Sequence, residues 1–110
     1  MTYEIKRGDL EPALDATLTQ GDGQPINLSA AVSVRALVRH AHSGTTVVDR
    51  TVPVVSAIGG TVRIVWVAGE TDNAGLHEVE FEIMWPANRP RTAPSKGAFT
   101  FTINPDLGGA

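Results

Sequence analysis

Short segments in which apolar and polar residues alternate follow one another along this chain. Leu14, Ala16 and Leu18 alternate with polar residues, for example, and such a pattern is typical of a β-strand with one buried face. Helical periodicity is almost absent. The predicted strands are Leu14–Leu18, Val32–Arg39, Thr45–Arg50, Val52–Ser56, Thr61–Trp66, Leu76–Trp85 and Phe99–Ile103.

Turn-forming residues separate these segments. Asp22-Gly23 is typical of a tight turn, and Ala57–Gly60 is interpreted as a second one. In the polar link Gly69–Gly75, Thr71 is predicted to cap a single helical turn. Pro86–Pro94 contains three prolines and two arginines, which predicts a rigid hairpin loop.

About seven strands at spacings of about 8–15 residues predict an antiparallel β-sandwich or barrel. We favour the sandwich, because two inner faces are needed to bury the alternating residues of so many strands. With 110 residues the chain is the size of one domain. We therefore predict a single domain over residues 1–110, with its core in 3–103 and a C-terminal tail at 104–110.

The amino-acid composition excludes several kinds of functional site and disfavours several kinds of partner. The chain has no cysteine, which excludes disulfides, thiolate metal sites and cysteine nucleophiles. Its net charge of −3 does not favour nucleic acid or anionic lipid as a partner. No apolar run approaches the roughly 20 residues that span a bilayer. These features predict a small domain without nucleic-acid or membrane partners.

One face of the Leu76–Trp85 strand carries three glutamates, Glu78, Glu80 and Glu82. Catalytic carboxylates are usually paired across a cleft, whereas a row of like charges needs positive neighbours to relieve its repulsion. Arg35 and Arg39 lie on the outward face of Val32–Arg39. We therefore predict that this strand pairs with the glutamate strand.

Three histidines offer a candidate metal site. His40 and His42 are two residues apart and would share one face of a strand, with His77 or a carboxylate as a third ligand. Zinc sites normally have three or four recognisable ligands. The sequence favours exposed loop histidines, and a metal-dependent enzyme is an alternative hypothesis.

Other catalytic signals are weak or absent. The chain has no Gly-x-Ser-x-Gly motif, and Gly59-Gly60 is too short to hold a phosphate. Arg7-Gly8-Asp9 matches the integrin-binding tripeptide, and we interpret this three-residue match as a coincidence. We predict that the protein is not an enzyme and has no cofactor.

Two segments are candidate interaction surfaces. Thr45–Ser56 is rich in β-branched residues and could form a docking edge, with Val47 and Val48 as its candidate residues. The alternative is that Val47, Val48, Val52 and Val54 fill the core. The Pro86–Pro94 loop presents Arg89 and Arg91, with Trp85 at its base.

Several short sequence segments resemble a known pattern when they are taken in their order along the chain. This succession resembles the small immunoglobulin-like domains of tailed bacteriophages, such as the N-terminal part of the baseplate upper protein family. The resemblance covers about residues 3–103 and implies a virion structural role without catalysis. The phrases that carry it are Ile5–Asp9, Leu14–Thr19, Asp22–Leu28, Gly60–Trp66, Gly69–Gly75 and Glu78–Ile83.

The stretch from Asp72 to Val79 is also similar to the corner before strand F of immunoglobulin domains. In those domains an Asp-x-Ala phrase precedes a tyrosine whose hydroxyl binds the corner backbone. Here His77 stands at the tyrosine position and Val79 at that of a disulfide cysteine. The resemblance implies a corner residue at His77, with an imidazole nitrogen in place of the hydroxyl.

The resulting hypothesis is an immunoglobulin-like structural protein of a bacteriophage virion, assembled in the host cytoplasm. Its expected partners are other virion proteins, in multiple symmetric copies, at a tail, baseplate, neck or capsid surface. The alternative is a carbohydrate- or cell-surface-binding module on the same fold. That module would use Pro86–Pro94 and requires an exposed Trp85.

Overall fold

The fold, a computed structural model describing residues 3–94 and 97–107, is built from β-strands alone. No helix in these two ranges is long and apolar enough to cross a membrane. Met1, Thr2 and the last three residues of the predicted tail lie outside the described residues. The strands are β1 (Glu4–Lys6), β2 (Leu14–Thr17), β3 (Ser33–His40), β4 (Thr46–Thr51), β5 (Val54–Ser56), β6 (Thr61–Ile64), β7 (Gly75–Trp85), β8 (Arg89–Ala93) and β9 (Phe99–Asn104).

The strands form two sheets. The larger sheet has the order β1-β9-β7-β3-β4, with β8 also paired to β7, and the smaller has the order β2-β6-β5. The predicted all-β class is confirmed, with nine strands in the described residues instead of about seven. β1 and β8 are the strands that the alternation did not predict, since one is three residues long and the other contains a proline.

Both sheets contribute to one hydrophobic core, an arrangement consistent with the predicted β-sandwich. Leu14, Val62 and Ile64 come from the smaller sheet, and Val34 and Phe81 come from the larger. Apolar residues from opposite sheets remove each other's surface from water, which is the main driving force for such a fold. The partly buried residues packed against this core are Tyr3, Ala16, Ala31, Val47, Ala57, Trp85 and Phe99.

The prediction of a purely antiparallel arrangement is wrong for one pair of strands. β1 runs parallel to β9, with Glu4 opposite Thr102 and Lys6 opposite Asn104. Only strands joined by a tight turn must be antiparallel. β1 and β9 are separated by most of the chain, so no turn constrains their relative direction.

The Pro86–Pro94 segment is a hairpin, but the prediction that all of it is loop is wrong. Arg89–Ala93 forms β8, antiparallel to β7, and the turn takes up only residues 86–88. Ala87 and Asn88 have left-handed φ values of 66° and 56°, which reverse the chain sharply. Pro90 is tolerated because β8 is an edge strand and needs no donor on its open side.

The predicted helical turn at Thr71 is also wrong. Residues 68–71 form a turn without a helix, and Thr71 is fully buried. Its hydroxyl donates a hydrogen bond to the carbonyl oxygen of Asp9 at 2.8 Å. Thr71 therefore joins two distant loops and caps no local element.

The predicted pairing of the arginine and glutamate strands is confirmed. β3 is antiparallel to β7, with Arg35 opposite Glu82 and Arg39 opposite Glu78. The Arg39 Nε lies 2.8 Å from a Glu78 carboxylate oxygen, and an Arg35 guanidinium nitrogen lies 3.4 Å from Glu82. Charge alternation on the outward faces therefore identified the correct neighbouring strand, and the structure supplies the register.

Candidate interaction surface

The hairpin of β7 and β8 extends one end of the larger sheet. β9 pairs with β7 only over Gly75–Val79, whereas β8 pairs over Phe81–Trp85. The second half of β7 therefore has β8 as its neighbour on this side. On the opposite side of β7, Val32 extends the pairing with β3 by one residue, because its N–H donates a hydrogen bond to the carbonyl oxygen of Met84.

Three of the predicted interaction residues are brought together on this hairpin. Trp85 lies opposite Arg89, and Ile83 lies opposite Arg91. Directly opposed residues project from the same face of a sheet, so both arginines share a face with Trp85. Trp85, Arg89 and Arg91 border one open depression.

Trp85 is half-buried and packs against the core. The carbohydrate alternative requires an exposed indole, and only part of this side chain is accessible. An indole held partly by the core is instead suited to anchor a protein contact, because its position is fixed before binding.

The ion pairs distinguish the hairpin arginines from the other five arginines of the chain. Each of those five lies next to a carboxylate, whereas Arg89 and Arg91 contact none within residues 3–94 and 97–107. The hairpin therefore carries two positive charges that the described part of the chain leaves uncompensated. The pairs are Arg7–Asp106, Arg35–Asp49, Arg35–Glu82, Arg39–Glu78, Arg50–Glu70 and Arg63–Asp15.

The valines of Thr45–Ser56 were considered both for a docking edge and for the core, and the structure assigns different positions to different valines. Val48 is 1% exposed and Val52 is 4% exposed, so both fill the core and the docking role is wrong for them. Val47 is half-buried and packs against the core. Val54 and Val55 are exposed on β5, because Pro53 follows Val52 and the chain there passes from the larger sheet to the smaller one.

The three histidines do not converge. His42 is exposed in a loop, whereas the His40 and His77 rings meet edge to face with centroids 5.0 Å apart. Both nitrogens of His40 have partners, the carbonyl oxygen of Ala74 and the hydroxyl of Ser43. No group of three potential metal ligands occurs among the residues that the structure describes.

His77 is fully buried near the start of β7. Its Nδ1 lies 2.9 Å from the carbonyl oxygen of Gly75, so an imidazole nitrogen binds the backbone two residues earlier in the chain. The Nε2 atom is buried without a hydrogen-bond partner. Burial lowers the pKa of His77, with the nearby His40 acting in the same direction and the Gly75 hydrogen bond opposing both.

This lowered pKa predicts a loss of stability in acid. A histidine whose pKa is lower in the folded chain is protonated preferentially in the unfolded chain, so the free energy of unfolding falls as the pH drops below about 6.5. We expect His77→Phe to lose less stability than the unsubstituted protein between about pH 8 and pH 5. Urea unfolding across that range measures the difference. His42→Gln, which removes an exposed histidine, is the control and should follow the unsubstituted profile; equal pH profiles for His77→Phe and His42→Gln would contradict the prediction.

Sequence reasoning missed the role of Tyr3. Its hydroxyl accepts a hydrogen bond from Trp66 Nε1 and donates one to the carbonyl of Pro12, each at 2.6 Å. Its ring meets Phe101 edge to face, and Phe101 stacks on His77. Tyr3 thus joins β1 to the loop after β6, a contact between residues 63 positions apart that no local pattern signals.

A second concave surface lies where the two sheets separate. Among the described residues, β2 is an edge strand of the smaller sheet, and the first half of β9 pairs with β7 alone. Leu14, Ala16 and Phe99 line the groove between them, which has a volume of about 730 Å³. Unpaired strand edges of this kind accept extended segments of other chains.

No protein family model matches the chain, and no curated protein sequence matches it either.

Proposed function

We infer that this protein is a non-enzymatic structural component of a tailed bacteriophage virion that acts through protein–protein contacts. Its place is in a tail, baseplate, neck or capsid surface assembly, in several symmetric copies. The resemblance to phage immunoglobulin-like domains over residues 3–103 supports this proposal. The absence of cysteine and of recognisable catalytic motifs in the sequence is compatible with it.

The strand order supports the immunoglobulin-like part of the proposal. In that fold the strands named B, E and D are neighbours in one sheet, and G, F, C and C′ are neighbours in the other. The same two spatial orders occur here, as β2-β6-β5 and β9-β7-β3-β4. The corresponding strands also follow one another in the same order along the chain. On this assignment β8 is an additional strand between F and G, and it is the strand that carries Arg89 and Arg91.

One observation carries the contact function: two arginines that have no carboxylate partner in the described part of the chain lie beside a tryptophan held partly by the core. Tryptophan and arginine are the residue types most enriched among those that dominate protein–protein binding energy. The hairpin presents them together on a regular element, so little conformational entropy is lost when a partner binds.

Mass spectrometry of gradient-purified phage particles tests this function. When the protein is expressed in the host that produces the particles, the polypeptide should be found in the purified particles. It should be present in a fixed ratio to the other structural proteins. The control is an R35Q/R39Q variant, which removes two arginines from the middle of β3 and should still be incorporated. An R89Q/R91Q variant should be depleted. Particles that assemble without the polypeptide, with all of it left in the soluble fraction, would overturn the proposal.

A further inference from the structure

The two ends of the molecule carry opposite charges that residues 3–94 and 97–107 do not compensate. β7 is 11 residues long and spans about 33 Å at the usual rise of a strand. The hairpin lies at its C-terminal end. At its N-terminal end Gly75 is opposite Ile103, next to the pairing of β9 with β1.

The end that contains β1 is acidic. Glu4, Asp9 and Glu11 border one concavity, together with a single positive residue, Lys6. All three carboxylates are exposed, and none forms an ion pair within residues 3–94 and 97–107. The concavity thus has an excess of two negative charges, equal to the excess of two positive charges on the hairpin.

The acidic end also has an apolar surface for Trp85 to contact. Leu10 is 42% exposed, and Pro12 lines the same concavity as the three carboxylates. The hairpin thus presents an aromatic ring beside two arginines, and the acidic end presents an apolar patch beside three carboxylates. The match includes both the sign of the charge and the polarity of the neighbouring groups.

We propose that the hairpin of one copy, through Trp85, Arg89 and Arg91, docks on the acidic end of a second copy, at Glu4, Asp9 and Glu11. This proposal rests on the proposed function in that it names the partner of the hairpin. Such a contact joins two different surfaces, so it repeats head to tail and builds rings or filaments, not closed dimers with a two-fold axis. A closed ring of copies would suit the proposed place around a tail or neck.

Each contact is small. The molecule is 46 Å long and only 25 by 24 Å across, so one end offers little area compared with a stable complex. Association is therefore expected at high protein concentration and low salt, and salt should weaken it because exposed charges are screened. Sedimentation velocity over the micromolar to millimolar range measures it.

A charge exchange between the two ends tests the proposal. The R89E/R91E variant has two acidic ends, and the E4K/D9K/E11K variant has two basic ends. Each alone should associate about a hundredfold more weakly than the unsubstituted protein, because like charges face each other. An equimolar mixture should recover association, because each hairpin then meets an end of opposite charge. Circular dichroism establishes that both variants keep the β-fold.

The matched control is R35Q/R39Q compared with R89Q/R91Q. Both variants replace two arginines by glutamines, but the first pair lies in the middle of β3 and should leave association unchanged. Two results would overturn the proposal: an unsubstituted protein that stays monomeric throughout, or a mixture that associates no better than its components. If R89Q/R91Q is still excluded from particles in either case, the virion function stands and only the self-contact is lost.

Discussion

Replacing Phe81 by alanine is expected to lower the free energy of unfolding by about 3–5 kcal/mol. Phe81 is fully buried at the middle of β7. On β3 its neighbour is Ala36, and on β8 its neighbour is Ala93, both almost completely buried. The ring therefore fills space that two small residues leave open, and its removal would leave three alanines side by side across the sheet.

The control for this substitution is Phe99→Ala. The two rings have centroids 6.1 Å apart, but Phe99 is only half-buried at the edge of the core. Water can reach the space that Phe99 leaves, so its removal should cost clearly less. Chemical unfolding in urea gives both values. Similar losses from the two substitutions would show that Phe81 is not the centre of the core. Domains of this size are stabilised by about 5–15 kcal/mol, so the predicted loss is a large share of the total.

The second large effect is expected from Gly60→Ala. Gly60 has a left-handed φ of 68°, and a Cβ atom there would lie 2.7 Å from the carbonyl oxygen of Ile26 and 2.8 Å from that of Leu18. Both atoms belong to the backbone and cannot move aside without breaking the hydrogen bond from the Ile26 N–H to the Leu18 carbonyl. We expect a loss of about 2–4 kcal/mol, from the left-handed conformation and from the contact.

Gly23→Ala separates these two causes. Gly23 has a φ of 85°, but a Cβ atom there would meet nothing within 4 Å. This substitution should cost about 1–2 kcal/mol, which is the conformational penalty alone. Urea unfolding midpoints for the two variants give the comparison. If Gly23→Ala destabilises the protein as much as Gly60→Ala does, the close approach at Gly60 has no energetic consequence.

The alternation of apolar and polar residues identified strands such as β3 and β7 because each was long enough to show its buried face. In β7 the alternation places His77, Val79, Phe81, Ile83 and Trp85 on the face opposite the three glutamates; the first four are buried and Trp85 is half-buried. The candidate surface was found in part. Trp85, Arg89 and Arg91 were named from their loop, but their common face depends on the register between β7 and β8.

The two valine positions show where local patterns are insufficient. Val54 has more apolar neighbours in the sequence than Val48, which Asp49 and Arg50 follow, yet Val48 is buried and Val54 is 39% exposed. Pro53 separates β4 and β5, which belong to different sheets, and β5 is an edge strand among the residues that the structure describes. Similarly, Thr71 resembled a helix cap until its partner proved to be Asp9, 62 positions away.

Periodicity and charge spacing were sufficient for the all-β class and for the pairing of β3 with β7, because each depends on neighbours along one strand or across one pair. Composition alone excluded cysteine chemistry. Three features required the folded chain: the parallel β1, the Tyr3–Trp66 contact and the opposite charges at the two ends. The physical reason is that contacts between distant segments are set by how the sheets close over the core, and that closure depends on all the strands together.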